Sequence, residues 1–287
     1  MNTSPQPDYN YDVDQIVKAY EQAINEIVRE LERLDLTKYQ RANMLSTLKS
    51  ISEILAELDE KAALMAQSSI EKAATDGIIH AILALEIVDN IAEVRKIVMF
   101  NRINKEFVKA AVADTQADLL AVTQNVDKKV RAAVRQVTAE VMRNSLPKGI
   151  NASDPLRREI LTGLRKTLGD SVNTGIIDAA GRRWKPSTYV DVLVSTKMME
   201  AHKEATINEA VPRGALYGVI SKHGATDTCS KWEGKIVKLD RSAPGDYPFI
   251  YELPKREIFH PNCRHVVSPV RRLDRLPANV QKANGMQ

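Results

Sequence analysis

VDQIVKAYEQAINEIVRELERL, residues 13–34, decides how the first half of this chain is read. Its residues Val13, Val17, Tyr20, Ile24, Ile27, Leu31 and Leu34 step by four and three in alternation. That spacing holds them on one helix face as a heptad seam. A second seam with the same alternation follows at Met44, Leu48, Ile51, Leu55, Leu58, Ala62 and Met65. Between the two, Thr37 and Gln40 have the spacing of a capping box, so a new helix is expected to start near Thr37. A short connection between two apolar seams predicts an antiparallel helical hairpin.

The pattern continues outward. Ile70, Ala74, Ile78, Ala81, Leu85, Val88 and Ala92 form a stripe rich in small residues, which lets helices approach closely. Phe107, Ala111, Val122, Val126, Val130, Val134, Val137 and Val141 outline a further helix or pair of helices, with a break expected near residues 100–104. No proline lies between Pro7 and Pro147, and Gly77 is the only glycine there. Proline interrupts helices and glycine weakens them, so a stretch nearly free of both permits long ones. The seams serve either an internal bundle core or a face for self-association or a helical partner.

Composition agrees with a folded chain: of 287 residues, 44% are apolar and 27% charged, while only 5% are aromatic. The cores must therefore be built mainly from Ala, Val, Ile and Leu. No apolar run reaches the roughly 18 residues that a membrane span needs. The polar, acidic start lacks the features of a signal peptide, so residence in the cytoplasm is expected. Two cysteines, Cys229 and Cys263, are too few for a secreted disulfide framework. Residues 1–147 carry 18 Lys+Arg against 22 Asp+Glu, whereas residues 148–287 carry 23 against 15. The second half is thus basic, which suits nucleic acid nearby without requiring it.

Prolines and glycines crowd into that second half. Residues 146–155 read as a linker ending in Ser153 or Asp154 as a cap and Pro155 at a first helical position. Leu156, Ile160, Leu164 and Leu168 step by four before Gly169, and another helix is expected over residues 188–209. After Pro212 the pattern turns to short β-forming runs at residues 215–220, 235–239, 249–251 and 265–267, separated by turn chemistry. The expected fold class is mainly α, an N-terminal helical hairpin or bundle followed by a small α+β C-terminal module. The expected divisions are a disordered tail over 1–12, a long-helix, coiled-coil-like domain over 13–145, a linker and helical segment over 146–210, the module over 211–272 and a flexible tail over 273–287.

The module holds both cysteines and three of the five histidines. Thiolate and imidazole are the ligands zinc prefers, four in a tetrahedron. Cys229, His260, Cys263 and His265 are a candidate Cys₂His₂ set, with His223 in reserve. A disulfide between the cysteines and simple packing in a small core are the other two readings. A cysteine nucleophile with a histidine base lacks an identifiable orienting group, so no catalytic residue is assigned. Two basic runs are candidate nucleic-acid contacts: Arg182, Arg183 and Lys185 around Trp184, and Arg271, Arg272 and Arg275.

The module carries Asp227-Thr-Cys229, Trp232-Glu-Gly-Lys235, Tyr247-Pro248 and His260-Pro-Asn-Cys-Arg-His265 in that order. In this it resembles the conserved end of phage minor capsid proteins of the Mu F-like head-morphogenesis group. The resemblance covers residues 189–270. Many of that group have a second cysteine near the first, where this chain has Lys231-Trp232, and end the last motif in cysteine, where it has His265. A four-cysteine metal site is therefore excluded. The resemblance implies a non-enzymatic, virion-bound head-morphogenesis protein, inside the capsid or at the portal vertex. It implies portal protein as partner, with major capsid or scaffold protein and packaged double-stranded DNA as further partners, and no membrane. It also marks Asp227, Trp232, Gly234, Lys235, Pro261, Asn262 and Arg264 as determinants of the module fold. An ejected or DNA-binding internal protein is the second functional reading; an enzyme with a Cys/His site is the third.

Overall fold

Breaker-free sequence becomes long helix. The computed structural model describes residues 6–33, 41–88, 90–145, 158–159, 162–163, 166–167, 176–177 and 181–286. Helix α1 spans Asn10–Glu32, α2 Arg41–Ala84, α3 Ile91–Ile97 and α4 Arg102–Ser145. A two-residue hairpin, β1 (Ile176–Ile177) against β2 (Arg183–Trp184), precedes α5 at Pro186–Ala210. Strands β3 (Tyr217–Ile220), β4 (Ile236–Lys238) and β5 (Val267–Val270) follow, then α6 at Ala278–Ala283. The fold is mainly α with a small α+β module, as the sequence predicts. The Thr37–Gln40 capping box, the linker over 146–155 and the apolar series at Leu156, Ile160, Leu164 and Leu168 lie outside the described residues.

The chain divides into two compact units, and each draws on separated stretches of sequence. One comprises residues 12–66 and 116–191; the other comprises 1–11, 67–115 and 192–287. This differs from the linear division expected from proline and glycine placement. A helix of 44 residues is about 66 Å long at 1.5 Å per residue. Helices α2 and α4 each give residues to both units.

In the first unit, α1 buries Val13, Ile16, Tyr20, Ala23, Ile27 and Leu31. Val17 and Ile24, expected on the seam, are only half-buried. The buried stripe follows the 3.6-residue period of a bundle face rather than a strict coiled-coil seam. The α2 seam is buried as expected at Leu48, Ile51, Leu55, Leu58 and Ala62. Its partner is revealed by three polar ties. Arg131 donates to Ser52, Thr123 to Asp59, and Gln116 to the Ala63 carbonyl. Residue numbers rise along α2 as they fall along α4, so these two helices run antiparallel. Tyr20, 1% exposed, ties α1 to α4 by donating its hydroxyl to the Leu119 carbonyl at 2.9 Å. Replacing it by Phe leaves that buried carbonyl with one acceptor site unused. Tyr20→Phe is expected to lower stability by about 1–2 kcal/mol, read as a shifted denaturant midpoint with an unchanged slope.

The second unit is built on close helix contact. Ile70, Ala73, Ala74, Ile78 and Ala81 of α2 and Met198, Ala201, Ala205 and Ala210 of α5 are all buried. Residues 98–101 separate α3 from α4, and Asn101 caps α4 by accepting from the Asn104 N–H. The sheet order is β4-β3-β5, all antiparallel. Pro269 is tolerated because β5 is an edge strand. Alternation along β3 sends Ile220 into a core shared with Ala81 of α2, Leu85 just beyond its end, and Ile207 and Ala210 of α5. Tyr217 and Val219 face the other way, toward Ile236, Val270 and Leu276. The module's core is therefore continuous with its helices, and the module is not a separate domain.

Three local expectations are corrected. Residues 249–251 form no regular strand; a 3₁₀ turn at Ile250–Glu252 stands there, flanked by Pro248 and Pro254, which cannot donate to a ladder. The C-terminal segment expected to be flexible is ordered. Leu276 is buried, α6 follows, and Asn284 accepts from the Ile236 N–H and donates to the Gly234 carbonyl. Near the N-terminus, Tyr9 is buried rather than part of a loose tail.

Candidate metal centre

The Asp227 carboxylate caps a short 3₁₀ helix, Thr228–Trp232, by accepting from the Cys229 N–H at 3.0 Å. The cap turns Cys229 inward, where it is 1% exposed. A second turn, closed by the Cys263 N–H donating to the His260 carbonyl, presents His260 and Cys263. Phe259 and Asn262 in this turn have φ of 56° and 67°. Asparagine is among the few residues that take this left-handed conformation readily.

Both turns converge on sulfur. Cys229 Sγ lies 2.8 Å from His260 Nε2 and 3.7 Å from Cys263 Sγ. His260 Nδ1 lies 2.8 Å from the Pro261 carbonyl. A carbonyl only accepts, so the ring proton sits on Nδ1 and the Nε2 lone pair faces the sulfurs. This is the second-neighbour arrangement typical of metal-binding histidines. Burial, then the neighbouring Cys263, pushes the Cys229 thiol well above its usual range. A protonated, buried thiol is a poor nucleophile, but a divalent cation would reverse the local charge balance and deprotonate it. The donor set of two sulfurs and one imidazole nitrogen fits zinc. Asp227, whose carboxyl is held low first by the Cys229 N–H, stands 3.4 Å from His260 Nε2.

The predicted four-ligand set does not converge as one. Ligand atoms of Cys229, His260 and Cys263 lie within 4.8 Å of one another, whereas His265 groups with His223 and Glu233. His265 touches both groups: Nδ1 is 3.3 Å from Cys263 Sγ, and Nε2 is 3.4 Å from Glu233 Oε1. Glu233 was not a sequence candidate. Its only signal was its place between Trp232 and Gly234, where a side chain folds back over the preceding loop. It accepts from the Ala225 and His223 N–H groups, and these, Ala225 first, hold its carboxyl down to about 2.

Other motif residues support the turns. Trp232 Nε1 donates to Glu257, and Gly234, with φ of 75°, donates its N–H to the Ile220 carbonyl. Lys235 Nζ donates to the last carbonyl of α6, at Ala283. The Arg264 carbonyl accepts from Gln6, and its guanidinium reaches Asn10. Pro261 and Asn262 are exposed at the tip of their turn. A cleft of about 480 Å³ opens on His260, Cys263 and His265, with Lys203, Tyr251 and Phe259 on its walls.

The basic runs fare differently. Arg182, Arg183 and Lys185 are exposed on and beside the β1–β2 hairpin, with the Arg182 guanidinium 5.2 Å from the Trp184 ring. Arg271 instead donates to the Arg213 and Leu85 carbonyls, and Arg272 pairs with Asp274. Arg275 is exposed. The second run is thus largely engaged within the fold.

A family model described as Phage minor capsid protein 2 matches residues 10–284. No curated protein and no solved structure matches the chain significantly.

Proposed function

The chain belongs to the phage minor capsid protein 2 family, bacteriophage structural proteins of the virion, and from that premise we propose a non-catalytic head-assembly role in which it binds the portal protein. The observation that carries this reading is the span of the match: residues 10–284 take in most of both compact units. Long helices and metal-type module therefore belong to one family architecture. The burial of Cys229 and Cys263 supports a structural rather than nucleophilic use of the cysteines. Among the described residues, no helix is long and apolar enough to cross a membrane.

In this reading the helical surfaces contact portal, and major capsid or scaffold protein, inside the head or at the portal vertex. One zinc ion on Cys229, His260 and Cys263 stiffens the turns of the module. Co-expression of the chain with the portal protein of the same phage, followed by size-exclusion chromatography, tests the docking. Co-elution as a stoichiometric complex is expected; complete separation at micromolar concentration, together with normal head yields from a phage lacking the gene, would end the proposal.

The exposed hairpin favours a second contact, with packaged DNA. Arg182, Arg183 and Lys185 supply three cations beside an aromatic ring. If they meet phosphates, replacing all three with Ala flattens the log–log salt dependence of duplex binding by about 3.

A further inference from the structure

We propose that His223, Glu233 and His265 form a second divalent transition-metal site, separate from the thiolate cluster. One ligand atom from each of the three lies within 4.8 Å of the other two. The centroids of the two imidazoles are 4.1 Å apart. His223 and Glu233 are ten residues apart, and His265 lies well beyond both. They meet because His223 begins the loop before the 3₁₀ turn, Glu233 ends that turn, and His265 leads into β5.

The decisive observation is on His265. The residue is 2% exposed, and its Nε2 is sealed from solvent and makes no hydrogen bond. Buried polar atoms in native proteins are overwhelmingly satisfied, and an exception asks for a partner. Glu233 Oε1 stands 3.4 Å away, without hydrogen-bond geometry, and is already engaged by two backbone N–H groups. On the other side of the ring, Nδ1 faces Cys263 Sγ. With the ring proton on Nδ1, directed at that sulfur, an Nε2 lone pair confronts a carboxylate. A cation between them turns this repulsion into coordination. It also leaves Nδ1–H as the donor that orients the ring, the usual outer contact of a metal-bound imidazole.

The chemistry selects the ion class. Two imidazole nitrogens and one carboxylate oxygen, without sulfur, suit zinc and its neighbours in the first transition row better than magnesium or calcium. Three protein ligands leave at least one position for water. His223 is exposed, so this ion exchanges with solvent more readily than one on the buried sulfurs. The site does not depend on zinc occupying the thiolate cluster, and the two fail independently.

The full chain, purified reduced and stripped of metal, is titrated with Co²⁺ and with Zn²⁺. Thiolate-to-cobalt charge transfer in the near ultraviolet reports the sulfur cluster alone, while elemental analysis counts both sites. About two equivalents are expected in the wild type, given one ion for each ligand set. The variant with both cysteines changed to serine should lose the near-ultraviolet band and keep about one equivalent. His223→Ala and Glu233→Gln should do the reverse, losing about one equivalent while the band persists. Circular dichroism checks that each variant is folded. His223→Ala changes an exposed side chain, and the amide introduced by Glu233→Gln keeps an oxygen for the two backbone donors. Unchanged metal content in folded His223→Ala, or a wild type that binds only the ion reported by the thiolate band, overturns the second site. In the latter case the sulfur cluster stands.

Discussion

Gly77→Ala is expected to destabilise the protein by about 3 kcal/mol, the upper range for forcing an extra carbon into a packed interior. Helix propensity alone predicts the opposite sign, a gain of about 1 kcal/mol for alanine over glycine inside a helix. Space decides between them. A Cβ at Gly77 would stand 2.2 Å from the His202 carbonyl oxygen and 3.0 Å from its carbon. Both atoms are backbone, so no side-chain rotation relieves the clash, and α2 and α5 would have to separate. Thr206 sharpens the cost: its hydroxyl bonds both the Gly77 carbonyl, at 3.0 Å, and the His202 carbonyl, at 2.8 Å. Separating the helices stretches that shared link. Equilibrium denaturation of the variant should show a lower midpoint, with poorer protection of the α2 and α5 amides from exchange. A midpoint at or above wild type would show that the helices do not approach as described.

Acid should weaken the fold through two buried histidines. Tyr9 Oη, His202 Nδ1 and Nε2, His80 Nδ1 and Nε2, and Ser268 Oγ form one chain with links of 2.9, 3.1 and 3.0 Å. One proton on each imidazole satisfies every link in either direction. Burial lowers His80 to about 4; burial, then His80 itself, lowers His202 to about 3. In the unfolded chain both titrate near 6.5. Below that value the unfolded state binds protons that the folded state refuses, so stability falls as pH falls. The loss begins near pH 6.5 and continues down to the folded-state values of about 4 and 3. At pH 5 the linkage costs about 2 kcal/mol for each histidine. Urea midpoints measured between pH 7.5 and 5 should drop accordingly, and His80→Gln should flatten the slope even though it lowers stability at pH 7.5. An identical slope in that variant would remove His80 as a source of the acid sensitivity. Neither histidine stood out in the sequence, because their partners are 122 and 193 residues away along the chain.

The same contrast between local and distant information runs through the metal-type site. Cys229, His260 and Cys263 were legible from residue chemistry and turn-forming neighbours. His265 was legible as a ligand type, but its allegiance was not. Two residues after Cys263, its Nε2 points away from the sulfurs because the chain is already entering β5. Glu233 could not be singled out, since an acid before glycine has no special meaning until the loop over residues 223–225 folds onto it.

What the amino-acid order determined by itself was the material of each element. Long helices arose where no proline intervenes and apolar residues recur with helical period, and short strands and turns arose where glycine, proline and β-branched residues crowd together. Those are preferences of a few neighbouring residues, set by backbone sterics and by which face can be buried. Only the tertiary structure decided the pairing of α2 with α4, the two interleaved compact units, the α2–α5 contact at Gly77 and the split of six ligand-type side chains into two groups. Each of these depends on distant faces competing for the same buried area, and period along a chain carries no record of which distant face wins.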